Sequence, residues 1–209
     1  MREAVGVPDA PLPALRGFGD VHRYWDSRDR RYVAPVLPGD FYVTEHDEVI
    51  TTVLGSCVST CVRDPVSGIA GLNHFMLPGE GGRIAPADAL RYGCYAVERL
   101  LNEIVKYGAR REDLEVKVFG GGRVIKGMSD VGKRNLAFVN EYFLTEGLPI
   151  LSQDTGGPWA RRVRYYAQSG RVLVQRLSTQ AVRDVVDSEA ELGRRLSLTP
   201  PRGQVDLFE

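Results

Sequence analysis

Residues 51–78 read TTVLGSCVSTCVRDPVSGIAGLNHFMLP, two strand-like runs joined by a turn. Asp64-Pro65-Val66-Ser67-Gly68 has turn chemistry: proline presets one backbone angle and glycine accepts a positive one. The midpoint between Cys57 and His74 falls inside that turn. A hairpin therefore brings these two side chains nearly opposite one another on paired strands, close enough for contact. A thiol beside an imidazole is the minimum equipment for cysteine nucleophilic catalysis. Because a free thiol has a pKa of about 8.5, little of it is thiolate at neutral pH without a base to take the proton.

The residues around Cys57 strengthen that reading. Gly55 and Ser56 precede it in a tight bend, where backbone N–H groups can approach a substrate and form an oxyanion site. A histidine base also needs a group that fixes its tautomer. Thr51 and Thr52, across the bend, each offer a hydroxyl for that task. Cys61 shares the strand face of Cys57 by period-two spacing but lacks the Gly-Ser turn, so it reads as core. Cys94 falls on the apolar stripe of a helix and reads the same way, while His22 and His46 sit in polar, loop-like surroundings. Gly120-Gly121-Gly122 has no following Gly-Lys-Ser/Thr, so it reads as a tight strand exit near the site, not a phosphate loop.

Working outward, a chain of 209 residues with 43% hydrophobic and 26% charged residues can bury one substantial core. A formal net charge of zero argues against general affinity for nucleic acid or anionic membrane. No apolar run approaches a membrane span, and the N-terminus has no hydrophobic signal region, so a cytoplasmic location is expected. The three cysteines show neither a disulfide framework nor paired zinc spacing, and no metal is expected. Residues 1–39, with five prolines, read as an N-terminal arm packing locally through Tyr24 and Trp25. A core domain spans 40–177. Strands are expected at Phe41–Thr44, Val49–Leu54, Leu114–Phe119, Ile150–Ser152, Arg162–Tyr166 and Val172–Leu177. One helix is expected from Asp88, as N-cap, to Tyr107, with Leu90, Cys94, Val97, Leu101, Ile104 and Val105 as its stripe. A second spans about 131–146, with Leu136, Val139 and Phe143 on one face and Gly147 closing it. Uneven alternation of strands and helices indicates an α/β class, a layered sandwich around a mixed sheet. Residues 178–209 read as a short helix, lined by Val182, Val185, Val186, Leu192 and Leu196, followed by a flexible tail.

LGSCV at 54–58 and NHFMLP at 73–78, either side of the turn, resemble the chemoreceptor glutamine deamidase family, CheD. The resemblance continues through KVFGGG at 117–122, VGKRN at 131–135, QDTGG at 153–157 and RRVRYY at 161–166. It implies an α/β/α layered fold and a hydrolase that converts glutamines of methyl-accepting chemotaxis receptors to glutamate, with release of ammonia, through a thioester. It also implies a Cys-His-Thr triad with Cys57 as nucleophile, His74 as base and, because the family's threonine precedes its cysteine by six residues, Thr51. No cofactor is implied. A competing reading is a regulatory module acting mainly through a CheC-type phosphatase partner, although a pure adaptor would not need the triad. A papain-like protease fares worse, because the Cys-to-His spacing is far too short and the Cys-Gly-Ser-Cys-Trp block is missing. Separately, Gln204-Val-Asp-Leu-Phe208 resembles peptides that dock into the bacterial DNA sliding clamp.

Overall fold

The hairpin forms where the turn chemistry places it. In the computed structural model, which describes residues 10–78, 86–124, 131–177 and 182–198, β5 (Val58–Arg63) and β6 (Ala70–Asn73) pair antiparallel. The Asp64 carboxylate accepts the Val66 N–H at 2.7 Å, and Gly68 takes φ +78°. The Gln204–Phe208 motif lies outside the described residues.

The remaining strands are β1 (Tyr24–Asp26), β2 (Arg31–Pro35), β3 (Phe41–Thr44), β4 (Val49–Leu54), β7 (Glu115–Gly120), β8 (Ile150–Thr155), β9 (Arg161–Tyr166) and β10 (Val172–Arg176). They divide into two five-stranded sheets instead of one, ordered β1-β2-β4-β9-β10 and β3-β6-β5-β7-β8. Each sheet is mixed: β2 runs parallel to β4, and β7 parallel to β8. Both sheets feed the main hydrophobic core, which contains Ile50, Leu54, Val163 and Tyr165 from the first and Tyr42, Val62, Leu72 and Val116 from the second; Val33, Val49 and Tyr166 form a smaller cluster on the first sheet. The α/β class and layered arrangement read from the sequence stand.

Helix α1 (Pro86–Lys106) packs on β3, β5 and β6, and α2 (Val131–Thr145) packs on β5 and against α1. The α1 stripe is carried by Val97, Leu100, Leu101 and Ile104, whereas Leu90 and Val105 are exposed. The helix begins at Pro86, so Asp88 lies in its first turn and is not its N-cap. Gly108 and Gly147 end α1 and α2 with positive φ, the usual glycine stop. A third helix, α3 (Val182–Leu198), buries Val185 and Leu192.

The segment read as an N-terminal arm supplies strands β1 and β2, and Val33 and Ala34 are fully buried. Trp25 packs edge-on against Tyr32 at 5.3 Å. Arg23 donates to the buried Glu48 carboxylate at 2.8 Å, which also accepts from Tyr42 and Thr44. This cluster ties the N-terminal strands to the start of β4.

Candidate active site

Strand β4 ends in the bend that carries Cys57, and its alternation decides which threonine enters the core. Ile50, Thr52 and Leu54 share the core-facing parity, while Thr51 lies on the opposite face, half-buried. The Thr51 hydroxyl donates to the Val163 carbonyl at 2.8 Å, away from the histidine. It is Thr52, not the Thr51 implied by the resemblance, whose Oγ1 lies 2.8 Å from His74 Nδ1. The parity was legible: Thr52 alternates with Ile50 and Leu54, the bulkiest apolar residues of the strand.

The hydrogen bonding assigns the tautomer of His74. Thr52 has one hydroxyl proton, and it is donated to the Val36 carbonyl at 2.8 Å. The contact to His74 therefore needs Nδ1–H as donor, which leaves Nε2 with its lone pair. Nε2 is buried and has no hydrogen-bond partner among the described residues. Burial pushes the imidazole pKa down to about 4, so the ring is neutral at pH 7. A neutral ring with a free Nε2 lone pair is the form a general base requires.

Cys57 and His74 come together, though not face to face. Continuing the β5–β6 register, where Val58 faces Phe75 and Cys61 faces Leu72, puts Met76 across from Cys57. Cys57 and His74 are thus diagonal neighbours across the hairpin. The thiol, a ring nitrogen of His74 and a carboxylate oxygen of Glu189 lie within 4.8 Å of one another, and all three residues are buried.

Glu189, on α3, was missed in the sequence. It sits in the gap of a helical stripe formed by Val185, Leu192 and Leu196, and a charge in an apolar stripe is the signal that marks it. Its carboxylate accepts from Gly55 N at 2.8 Å, Ser56 N at 2.8 Å, Cys57 N at 2.9 Å and Ser56 Oγ at 2.7 Å. The bend expected to form an oxyanion site through Gly55 and Ser56 thus aims three backbone N–H groups at one point, and an anion is there. Burial pushes the Cys57 thiol pKa up, and the charge and hydrogen bond of Glu189 push it the same way. Cys57, His74 and Glu189 are also the residue types of a metal site, but the carboxylate oxygens already accept four hydrogen bonds, and N–H dipoles pointing at the site disfavour a cation.

The bend is held from two sides. Gly121 N and Gly122 N each donate at 2.7 Å, to the carbonyls of Cys57 and Gly55. A Cβ on Gly120, whose φ is +108°, would stand 2.2 Å from the Cys57 carbonyl oxygen. The glycine run read as a strand exit thus shapes the bend that carries Cys57. On the other side, the buried Asn135 of α2 accepts from Leu77 N at 2.8 Å and donates to the Ser56 carbonyl at 2.9 Å. Cys61 is buried in the core as expected, and Cys94 is half-buried. His46 lies 2.9 Å from the Pro13 carbonyl, away from the site.

Comparison with known proteins identifies the family. A family model described as CheD, chemotactic sensory transduction, matches residues 76–176. A protein of Hahella chejuensis is 45% identical over all of both chains. A Halorhodospira halophila protein is 45% identical over 98% of this chain and 95% of its own. One from Cupriavidus metallidurans is 48% identical over 89% of each. All three carry the name "Probable chemoreceptor glutamine deamidase CheD". The chain belongs to the CheD family. The family model begins beyond His74, so the Cys57–His74 hairpin is covered by the full-length relatives rather than by the model. No helix among the described residues of this CheD chain is long and apolar enough to cross a membrane.

Proposed function

We propose that this CheD chain hydrolyses the side-chain carboxamide of glutamines in methyl-accepting chemotaxis receptors, giving glutamate and ammonia. The observation that carries the reading is the neutral His74, its Nε2 lone pair open, beside the Cys57 thiol and a bend of three converging N–H groups. The names of its relatives supply the substrate class.

His74 takes the Cys57 proton, and the thiolate attacks the carboxamide carbon. The N–H groups of Gly55, Ser56 and Cys57 receive the oxyanion, a contribution of about 3 kcal/mol per well-placed donor. His74 then returns the proton to nitrogen and the C–N bond breaks, releasing ammonia and leaving a thioester on Sγ. Water deprotonated by His74 hydrolyses the thioester and restores the thiol. Thr52 holds the ring so that Nε2 faces the thiol through both halves of the cycle.

Purified receptor incubated with the protein should release ammonia, and mass spectrometry should find glutamines converted to glutamate. Cys57→Ala and His74→Ala should fold and release none; full activity in Cys57→Ala would sink the assignment.

A further inference from the structure

Cys57 is fully buried and His74 is 1% exposed, so no external carboxamide can reach Sγ in this arrangement. Over the bend lies Glu189 of α3. Glu189 is 2% exposed, and both of its oxygens rest on the donors that would receive the oxyanion of the reaction. A glutamate side chain is also the chemical product of glutamine deamidation. The bend is fitted to it: a Cβ on Gly55 would stand 2.8 Å from Glu189 Oε2, so glycine there admits the carboxylate. On either side of Glu189 the helix seats Val185 and Leu192, and Leu192 Cδ1 comes within 3.2 Å of where a Cβ on Gly39 would be. Gly193 lies over Met76, whose Cε would be 3.3 Å from a Cβ there.

We infer that α3 is a built-in product mimic: it fills the cradle in which a glutamine-bearing helix docks, with Glu189 in place of the reacting side chain, and closes the enzyme until displaced. This rests on the deamidase reading above and specifies its substrate. The reacting glutamine lies on a helix with apolar residues four positions before it and three after, as Val185 and Leu192 flank Glu189. Glu189 also disfavours the Cys57 thiolate by its charge, so displacing α3 opens the site and eases ionisation together.

Substituting Glu189→Gln turns the mimic into a substrate. The Cys57 thiolate adds to the carboxamide carbon introduced at position 189, the C–N bond breaks, and the nitrogen leaves as ammonia with a proton from His74. Water then cleaves the thioester C–S bond. One water is consumed and one ammonia released, so the chain gains about one dalton at that position.

The test uses the full chain. Iodoacetamide labelling of Cys57, followed by peptide mapping, should be at least about tenfold faster in Glu189→Ala than in the native sequence. Purified E189Q should convert to glutamate at position 189 on incubation, and the E189Q/C57A double variant should not. Equal labelling of Cys57 in the native and E189A proteins overturns closure by α3. Retention of the introduced carboxamide, in a sample that deamidates receptor, overturns the cradle. Faster labelling of E189A, with no ammonia from any variant or receptor, upholds closure and defeats the deamidase reading instead.

Discussion

Two threonines that differ by one position in sequence differ completely in what they touch, because successive strand side chains point to opposite faces. Thr52→Val removes the acceptor for His74 Nδ1–H with almost no change of volume. A positioned general base contributes about 10²–10⁴-fold, and an unanchored ring forfeits part of that. We expect kcat to fall roughly tenfold or more in Thr52→Val, with recovery in Thr52→Ser and less than about a twofold change in Thr51→Val; ammonia release from receptor reads this directly. His74 also makes a pH prediction. Its folded pKa, about 4, lies below the ordinary 6.5, so between those values the unfolded chain binds a proton that the folded chain refuses. Stability therefore falls as pH drops through 6.5 towards 4, and this contribution levels off below that. Urea midpoints at about pH 7 and about pH 5 should show the loss, and His74→Gln should reduce it.

At the scale of elements, the hairpin, β3, β4 and α2 were legible because each carries strong local chemistry: a turn sequence, period-two alternation, or an apolar stripe closed by glycine. Their bounds match or nearly match the expected ones. The start of α1 was not, because Asp88 is a good cap by residue type while the helix begins at Pro86. Glu189 escaped because a helical stripe was read through its apolar members only. The tip of β7 carries a further prediction. Gly120→Ala places a methyl against the Cys57 carbonyl at a positive φ, so the bend must shift. We expect destabilisation of about 2 kcal/mol or more and loss of most activity even in the folded fraction, checked by thermal melts alongside ammonia release.

For the whole molecule, the N-terminal strands are part of the structure that builds the site. β2 lies against β4, and Val36, which follows it, supplies the carbonyl that orients Thr52. Arg23 and Glu48 form a buried pair whose side chains are 7% and 4% exposed. Arg23→Met leaves the Glu48 carboxylate buried without its cation, which costs about 3 kcal/mol. For a chain of this size that lowers Tm by roughly 6–12 °C, measured by calorimetry. The sequence by itself determined the α/β class, the hairpin and the meeting of Cys57 with His74. Those depend on turn chemistry and periodicity, which act over a few residues. Only the tertiary structure decided that the strands form two sheets, that the core-facing side of β4 meets His74, and that the Glu189 carboxylate, over 130 positions from the bend, sits on the bend's N–H groups. Such contacts depend on which faces are buried against each other, and no local pattern in the chain encodes that pairing.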